Sequence, residues 1–183
     1  MKKILFIFFL QLFALSSFSQ EGYRSGYIIN YKGDTVKGKI KDRKYYNSLI
    51  SWQKINFIND NGEKDKYTAD DIRGYSKNGS SSYRSLALGV EGTRKFAEIL
   101  ESGAVVLFAY TLGLSQKAPP DYFLQKANDV NSLMEWREND YKKTAAYFFK
   151  EDKELTKSIE DEVLKHSEIQ TIVKKYNEWK FKQ

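Results

Sequence analysis

The fold is decided by a stretch near the start of the chain, residues 26–41, which reads GYIINYKGDTVKGKIK. Two runs of alternating character, Gly26–Tyr31 and Thr35–Lys41, flank a short connection around Gly33. Alternation with a period of two is typical of a half-buried strand, and a glycine accepts the positive φ that a tight turn requires. The stretch therefore predicts a β-hairpin at the beginning of a β-rich region.

Downstream residues repeat this pattern as far as about residue 133. The pair Asn61 and Gly62 is a strong hairpin signal between two such runs. The segment Thr111–Asp121 contains both prolines and predicts a loop. Thr68 is placed to cap a single turn before the chain extends again. The further predicted strands are Leu49–Ile58, Glu63–Thr68, Ile72–Lys77, Ser80–Leu88, Ala104–Tyr110, Tyr122–Lys126 and Val130–Leu133.

The segment Arg94–Glu101 fits two structures. Phe96, Ile99 and Leu100 have the spacing of one helical face. The small residues that follow, and the continuous apolar run after them, instead indicate a turn and a buried strand. We expect a strand here, with a helix as the alternative.

Beyond residue 133 the hydrophobic period changes from that of strands to that of helices. Three apolar stripes predict three amphipathic helices. Asp152 is placed to cap the second helix, and Ser167 with Gln170 has the spacing of a capping box at the start of the third. We therefore predict an α+β fold: an N-terminal antiparallel curved sheet or small barrel at 20–133, and a helical region at 134–183 packed on it as one domain. The stripes are Tyr141, Thr144, Ala145, Phe148; Leu155, Ile159, Val163; and Ile169, Ile172, Val173, Tyr176, Trp179.

The first residues have the character of a secretory signal peptide. Lys2 and Lys3 precede the apolar run Ile4–Leu15, and small residues follow, with cleavage expected after Ser19. The apolar run is shorter than the roughly 20 residues that span a bilayer, so an uncleaved anchor is the less favoured alternative. Residues 1–19 are thus predicted to be a signal peptide, and the protein to be exported to the periplasm, envelope or exterior.

Three phrases of the chain carry a resemblance: Gly26–Ile29 with Gly33–Ile40, then Tyr67–Tyr75, and the helical residues Tyr147–Phe149 with those around Tyr176. Together they resemble a family of uncharacterised exported proteins of Bacteroidota. The resemblance implies an exported protein of unknown function. Related chains often carry an Asp-Cys pair near the position of Glu151 and Asp152, and this sequence has no cysteine.

Composition excludes several kinds of catalytic site. The chain of 183 residues has no cysteine and a single histidine, His166, which rules out thiolate zinc sites, cysteine nucleophiles and paired imidazoles. His166 is expected to terminate a helix. The neighbours Asp70 and Asp71 do not share a face in a strand or a helix, so they do not predict an acid–base pair. Glu98 and Glu101 would share a face only in the helical alternative. We predict no catalytic residue, no metal ligand and no cofactor.

The residues best suited to bind a ligand are basic and aromatic. Lys37, Lys39 and Lys41 alternate along one predicted strand and therefore lie on one face, where they form either a cationic stripe or an ordinary solvated surface. Tyrosines are concentrated in the strand-rich region, where they either contact a ligand or pack in the sheet. The candidate ligand-binding residues are Tyr27, Tyr31, Lys37, Lys39, Lys41, Tyr75 and Tyr83.

These features favour an exported, non-enzymatic binding or interaction module. A net charge of +6, two units of which belong to the signal peptide, is too small an excess to predict nucleic-acid binding. The partners that fit are an envelope glycan, a lipid or a protein, and no second apolar segment predicts a transmembrane span. The alternatives are a secreted hydrolase that uses carboxylates or an oxygen-ligand metal, and a structural protein that assembles through its C-terminal helices.

Overall fold

The computed structural model describes residues 22–42, 54–78, 81–88, 92–111 and 119–183. Within these ranges ten strands precede three helices, which confirms the predicted α+β fold. The predicted signal peptide and residues 49–53 of the third predicted strand lie outside the described residues. The strands are β1 Arg24–Ile29, β2 Thr35–Asp42, β3 Ile55–Asn59, β4 Lys64–Tyr67, β5 Gly74–Lys77, β6 Ser82–Ala87, β7 Arg94–Glu101, β8 Val105–Tyr110, β9 Asp121–Lys126 and β10 Asp129–Glu135; the helices are α1 Tyr141–Phe149, α2 Lys153–Glu160 and α3 Ile169–Phe181.

The ten strands form one antiparallel sheet in the order β10-β9-β8-β7-β6-β5-β1-β2-β3-β4. The sheet is curved and does not close, so it has the curved form of the prediction rather than the form of a small barrel. Strand β1 pairs with both β2 and β5, so the first of the described strands lies inside the sheet. This pairing brings residues near the start of the chain beside residues about 50 positions later.

The face of the sheet that carries the helices is called the helix face. Leu107 and Leu124, neighbours on β8 and β9, contact the helices there and are fully buried. The same face continues to the other end of the sheet, where Ile28, Phe57 and Tyr75 form a second buried cluster. Burial of Leu107 and Leu124 against apolar side chains of the helices supplies the main driving force for packing the helical region onto the sheet.

The other face of the sheet is called the opposite face. Between β6 and β9 it carries a third cluster that includes Leu86, Ala97 and Phe108. Strand β7 therefore contributes to clusters on both faces: Phe96 and Leu100 pack on the helix-face side, and Ile99 packs in the third cluster. A strand that is partly buried on both faces lacks clean alternation, which explains the ambiguous pattern at 94–101, where the expected strand is confirmed.

The predicted second helix is too long. Helix α2 begins with the predicted cap, because Asp152 Oδ1 accepts a hydrogen bond of 3.0 Å from the N–H of Leu155. It ends at Glu160, and the chain turns through a left-handed conformation at Glu162, with φ of 59°. As a result Val163 is 71% exposed and does not continue the apolar stripe.

The start of the third helix also differs from the prediction. Ser167 lies inside a 3₁₀ turn, His166–Glu168, that leads directly into α3, so it is not the helix cap. The carboxylate of Glu168 instead accepts a hydrogen bond of 2.9 Å from the N–H of Lys165. His166 was expected to end a helix, but it begins this turn, with its ring stacked on that of Trp136 at a centroid separation of 5.9 Å.

Candidate ligand-binding groove

A groove of about 780 Å³ crosses the opposite face of the sheet over β1, β5, β6 and β7. Ile29, Gly74 and Arg84 are paired neighbours on three successive strands. Because Gly74 has no side chain, a trough separates the side chains of Ile29 and Arg84 at this level. A Cβ at position 74 would come within 2.5 Å of the carbonyl oxygen of Tyr83, so the close approach of β5 and β6 also requires glycine.

The next row of residues gives the groove a polar floor. Tyr27, Ser76 and Ser82 are paired neighbours on β1, β5 and β6, and all three line the groove. The hydroxyl of Ser82 donates to that of Ser76 at 2.8 Å. The floor therefore presents hydroxyl groups beside a tyrosine ring, a combination suited to ligands that carry many hydroxyl groups.

Two arginines line the same groove. Arg84 is half-buried, and its guanidinium carbon lies 5.3 Å from the centroid of the Phe108 ring in the third cluster. Burial lowers the pKa of Arg84, and the nearby charge of Arg73 lowers it further. The ion pairs among the described side chains are Arg137–Glu135, Lys142–Glu162 and Lys180–Glu151, and none of them includes either groove arginine.

One carboxylate, Glu98, lines the groove among the described residues, and the hydroxyl of Ser81 donates a hydrogen bond to it. Glu98 is paired with Tyr83 across β6 and β7, whereas Arg84 is paired with Ala97. By the alternation of strand side chains, Glu98 and Arg84 point to opposite faces of the sheet. The side of the groove that carries Arg84 is therefore cationic.

Three of the candidate tyrosines, Tyr27, Tyr75 and Tyr83, line this groove. The rings of Tyr75 and Tyr83 stack on each other in the second cluster, with centroids 4.7 Å apart and planes inclined by 14°. Tyr75 is only 6% exposed, so these two rings have a packing role. Tyr27 is the candidate tyrosine whose position on β1 places its ring on the groove side.

The candidate lysines extend the groove face toward β2. Lys37 is the paired neighbour of Tyr27, and Lys39 and Lys41 follow at alternate positions on the same face. The ammonium of Lys41 lies 5.6 Å from the ring centroid of Tyr23. The structure thus places the lysine row beside one wall of the groove.

Tyr31 lies apart from the other candidates. Its hydroxyl donates to the carbonyl oxygen of Ala69 at 2.7 Å and lies 3.1 Å from Oγ of the buried Ser85. The guanidinium of Arg94 lies 5.5 Å from the centroid of the Tyr31 ring. Tyr31 therefore joins the turn after β1 to β6 and does not line the groove.

The two arginines were missed by sequence reasoning. Alternation in β6 places Arg84 on the same face as Leu86, which is buried. A charged residue on the apolar face of a strand is the signal that could have identified Arg84. No comparable signal marks Arg73, which lies in the bend before β5.

The candidate carboxylates of a hydrolase have separate partners. Asp71 accepts hydrogen bonds from the N–H and the hydroxyl of Thr68, at 2.7 and 2.6 Å, and these bonds lower its pKa. The Thr68 hydroxyl in turn accepts from the N–H of Asp70, which confirms the predicted capped turn. Glu101 accepts from the side-chain amide of Gln170 at 3.0 Å, away from Glu98 and its partner Ser81.

Within the described ranges, no group of three or more histidine, aspartate or glutamate side chains is arranged to hold a metal ion.

Comparisons with protein-family models, with curated proteins and with solved structures found no match. Among the described residues, no helix has the length and apolar character that a membrane span requires.

Proposed function

We propose that the protein is an exported, non-enzymatic binding module of the bacterial envelope or exterior, and that its ligand is a glycan held in the groove over β1, β5, β6 and β7. The observation that carries the proposal is the row Tyr27, Ser76 and Ser82, which combines an aromatic ring with hydroxyl groups on the floor of one concave site. Sugars present apolar ring faces and many hydroxyl groups, and this row complements both.

Export is the second part of the proposal. It is supported by the signal-like residues 1–19 and by the resemblance to exported Bacteroidota proteins. In such a compartment, surface and secreted glycans are abundant ligands. The separate hydrogen-bond partners of Asp71, Glu98 and Glu101 favour binding over a hydrolase that needs two convergent carboxylates.

The test is to titrate the purified protein with envelope oligosaccharides and to monitor binding by calorimetry and by changes in amide chemical shifts. We expect shifts concentrated in β1, β5 and β6, and at least tenfold weaker binding in Tyr27→Ala. Tyr147→Ala removes an exposed tyrosine on α1, which lies on the helix face, and serves as the matched control. Equal weakening by both variants, or no shift in the groove with any oligosaccharide, would contradict the proposal.

A further inference from the structure

We propose that Arg84 and Arg73 form a subsite for one oxyanion, so that the ligand of the groove is an acidic glycan carrying a carboxylate, sulfate or phosphate group. The inference rests on the proposed function, because it adds a charge requirement to the same groove.

The position of Arg84 is fixed by the sheet. Its backbone pairs with Gly74 on one side and Ala97 on the other, so the arginine stands between a residue with no side chain and one with a small side chain. The ring of Phe108, 5.3 Å from the guanidinium carbon, supports it from the third cluster. An arginine packed on an aromatic ring loses little further conformational entropy when it binds a ligand.

Among the described residues, no ion pair includes Arg84 or Arg73. Arg84 is half-buried in the groove that Arg73 also lines, and burial, followed by the charge of Arg73, lowers the pKa of Arg84. A half-buried cation under the influence of a second positive charge gains from an anion that approaches it. Arginine forms paired hydrogen bonds with carboxylate, sulfate and phosphate oxygens, which makes an oxyanion the matching ligand group.

The surroundings of the pair agree with an acidic ligand that is also a sugar. The hydroxyl groups of Ser76 and Ser82 lie on the floor beside Arg84, and Lys37 extends positive charge along the rim next to Tyr27. A ligand placed with its anionic group at Arg84 therefore has its sugar ring over the serine row and near Tyr27. The groove carboxylate, Glu98, points to the other face.

The experiment uses the full chain and three probes: inorganic phosphate, trigalacturonate, and the methyl ester of the same trisaccharide. The acid and the ester share one sugar skeleton and differ in charge. Binding is measured by calorimetry and by the side-chain Nε–H signal of Arg84, which is assigned by its loss in Arg84→Lys. We expect the acid to bind at least tenfold more tightly than the ester, and phosphate to displace the acid.

The variants are Arg84→Gln, Arg73→Gln and the control Arg137→Gln, which removes an exposed arginine after β10. Circular dichroism establishes which variants are folded. We expect at least tenfold weaker binding of trigalacturonate in Arg84→Gln, weaker binding in Arg73→Gln, and no change in the control. If Arg84→Gln does not fold, the exposed Arg73→Gln and the Arg84 signal of the wild-type protein still decide the result.

The two proposals fail in different ways. Equal affinity for acid and ester, with groove shifts for both, would overturn the anion subsite and leave the glycan groove standing. A response of the Arg84 signal to phosphate, without groove shifts for any sugar, would support the anion subsite and contradict the glycan. The absence of any Arg84 response to phosphate and trigalacturonate would overturn the subsite.

Discussion

Asn177 in helix α3 forms hydrogen bonds with both backbone groups of Val105 at the start of strand β8. The N–H of Val105 donates to Oδ1 of Asn177 at 2.9 Å, and Nδ2 of Asn177 donates to the carbonyl oxygen of Val105 at 2.8 Å. The side chain also lies so close to Gly103 that a Cβ there would overlap it. The amide therefore pairs with β8 as a neighbouring strand would, and joins the last helix to the sheet.

Asn177→Ala is expected to destabilise the protein by about 1–3 kcal/mol, because both groups of Val105 lose a half-buried partner. Urea unfolding followed by circular dichroism measures this change. Lys174→Ala removes an exposed side chain from the same helix and should have little effect. Equal stability of the Asn177 variant and the control would show that water replaces the amide without cost.

Gly38→Ala is expected to destabilise the sheet by about 1–3 kcal/mol, since there is no space for a Cβ at this buried position. The added atom would overlap the carbonyl oxygen of Ile58 and lie 2.6 Å from Cζ of Phe57. Thermal unfolding gives the measurement. The control is Val36→Ala, on the same face of β2 and 37% exposed, which should change the melting temperature far less.

Trp136→Phe keeps an aromatic ring in the core and removes one donor. In the wild-type protein, Nε1 of Trp136 donates to the carbonyl oxygen of His166 at 2.9 Å. The lost hydrogen bond should cost about 1 kcal/mol, and the cavity left by the smaller ring should add to that cost. Tyr141→Phe retains an aromatic ring against both Trp136 and His166 and should remain close to wild type in the same unfolding experiment. If Trp136→Phe were as stable as Tyr141→Phe, the hydrogen bond from Trp136 to His166 would not contribute to stability.

Asp71→Asn is expected to reduce stability at neutral pH but not in acid. Hydrogen bonds from Thr68 hold the pKa of Asp71 below its ordinary value of 3.8 in the folded protein. Its ionised form therefore stabilises the fold above that ordinary pKa, and this contribution is lost as the pH falls through the lowered value. Unfolding by urea at a series of pH values should show the wild-type and variant curves converging in acid. Asp70→Asn, at an exposed neighbour, should show a smaller difference at neutral pH.

Cleavage after Ser19 is expected in the natural host, which would leave Gln20 as the first residue. Mass spectrometry of protein recovered from periplasm and medium measures the mature terminus. Replacing Leu10 and Leu12 with arginines should retain the protein inside the cell, because a signal peptide requires a continuous apolar run. An exported protein that still begins at Met1 would contradict cleavage and favour the anchor.

The sequence predicted element types well where one face of an element is buried. The predicted strand Thr35–Lys41 alternates cleanly and is found as β2, and α3 has a continuous apolar stripe, so both were identified from their periodicity. The end of α2 was missed because Val163 continues the helical spacing, while the left-handed turn at Glu162 carries no glycine to mark it. Local pattern alone does not show where a competing turn ends a helix.

The candidate site was predicted only in part. Tyr27 and Lys37 were identified by residue type, and they are neighbours because they belong to one hairpin. Tyr31 was grouped with them but bonds elsewhere, since the chain turns directly after β1. Arg84 was not identified, because its importance depends on residues in four other strands.

The sequence by itself indicated the order of strands and helices and, where alternation is clean, the face on which a strand side chain lies, because these follow from periodicity and turn chemistry within a few residues. Only the tertiary structure decided that β1 inserts between β2 and β5. That pairing places Tyr27 beside Ser76 and builds the groove next to Arg84. Strand order depends on long-range hydrogen bonds and on burial of both sheet faces together, and no short stretch of sequence contains that information.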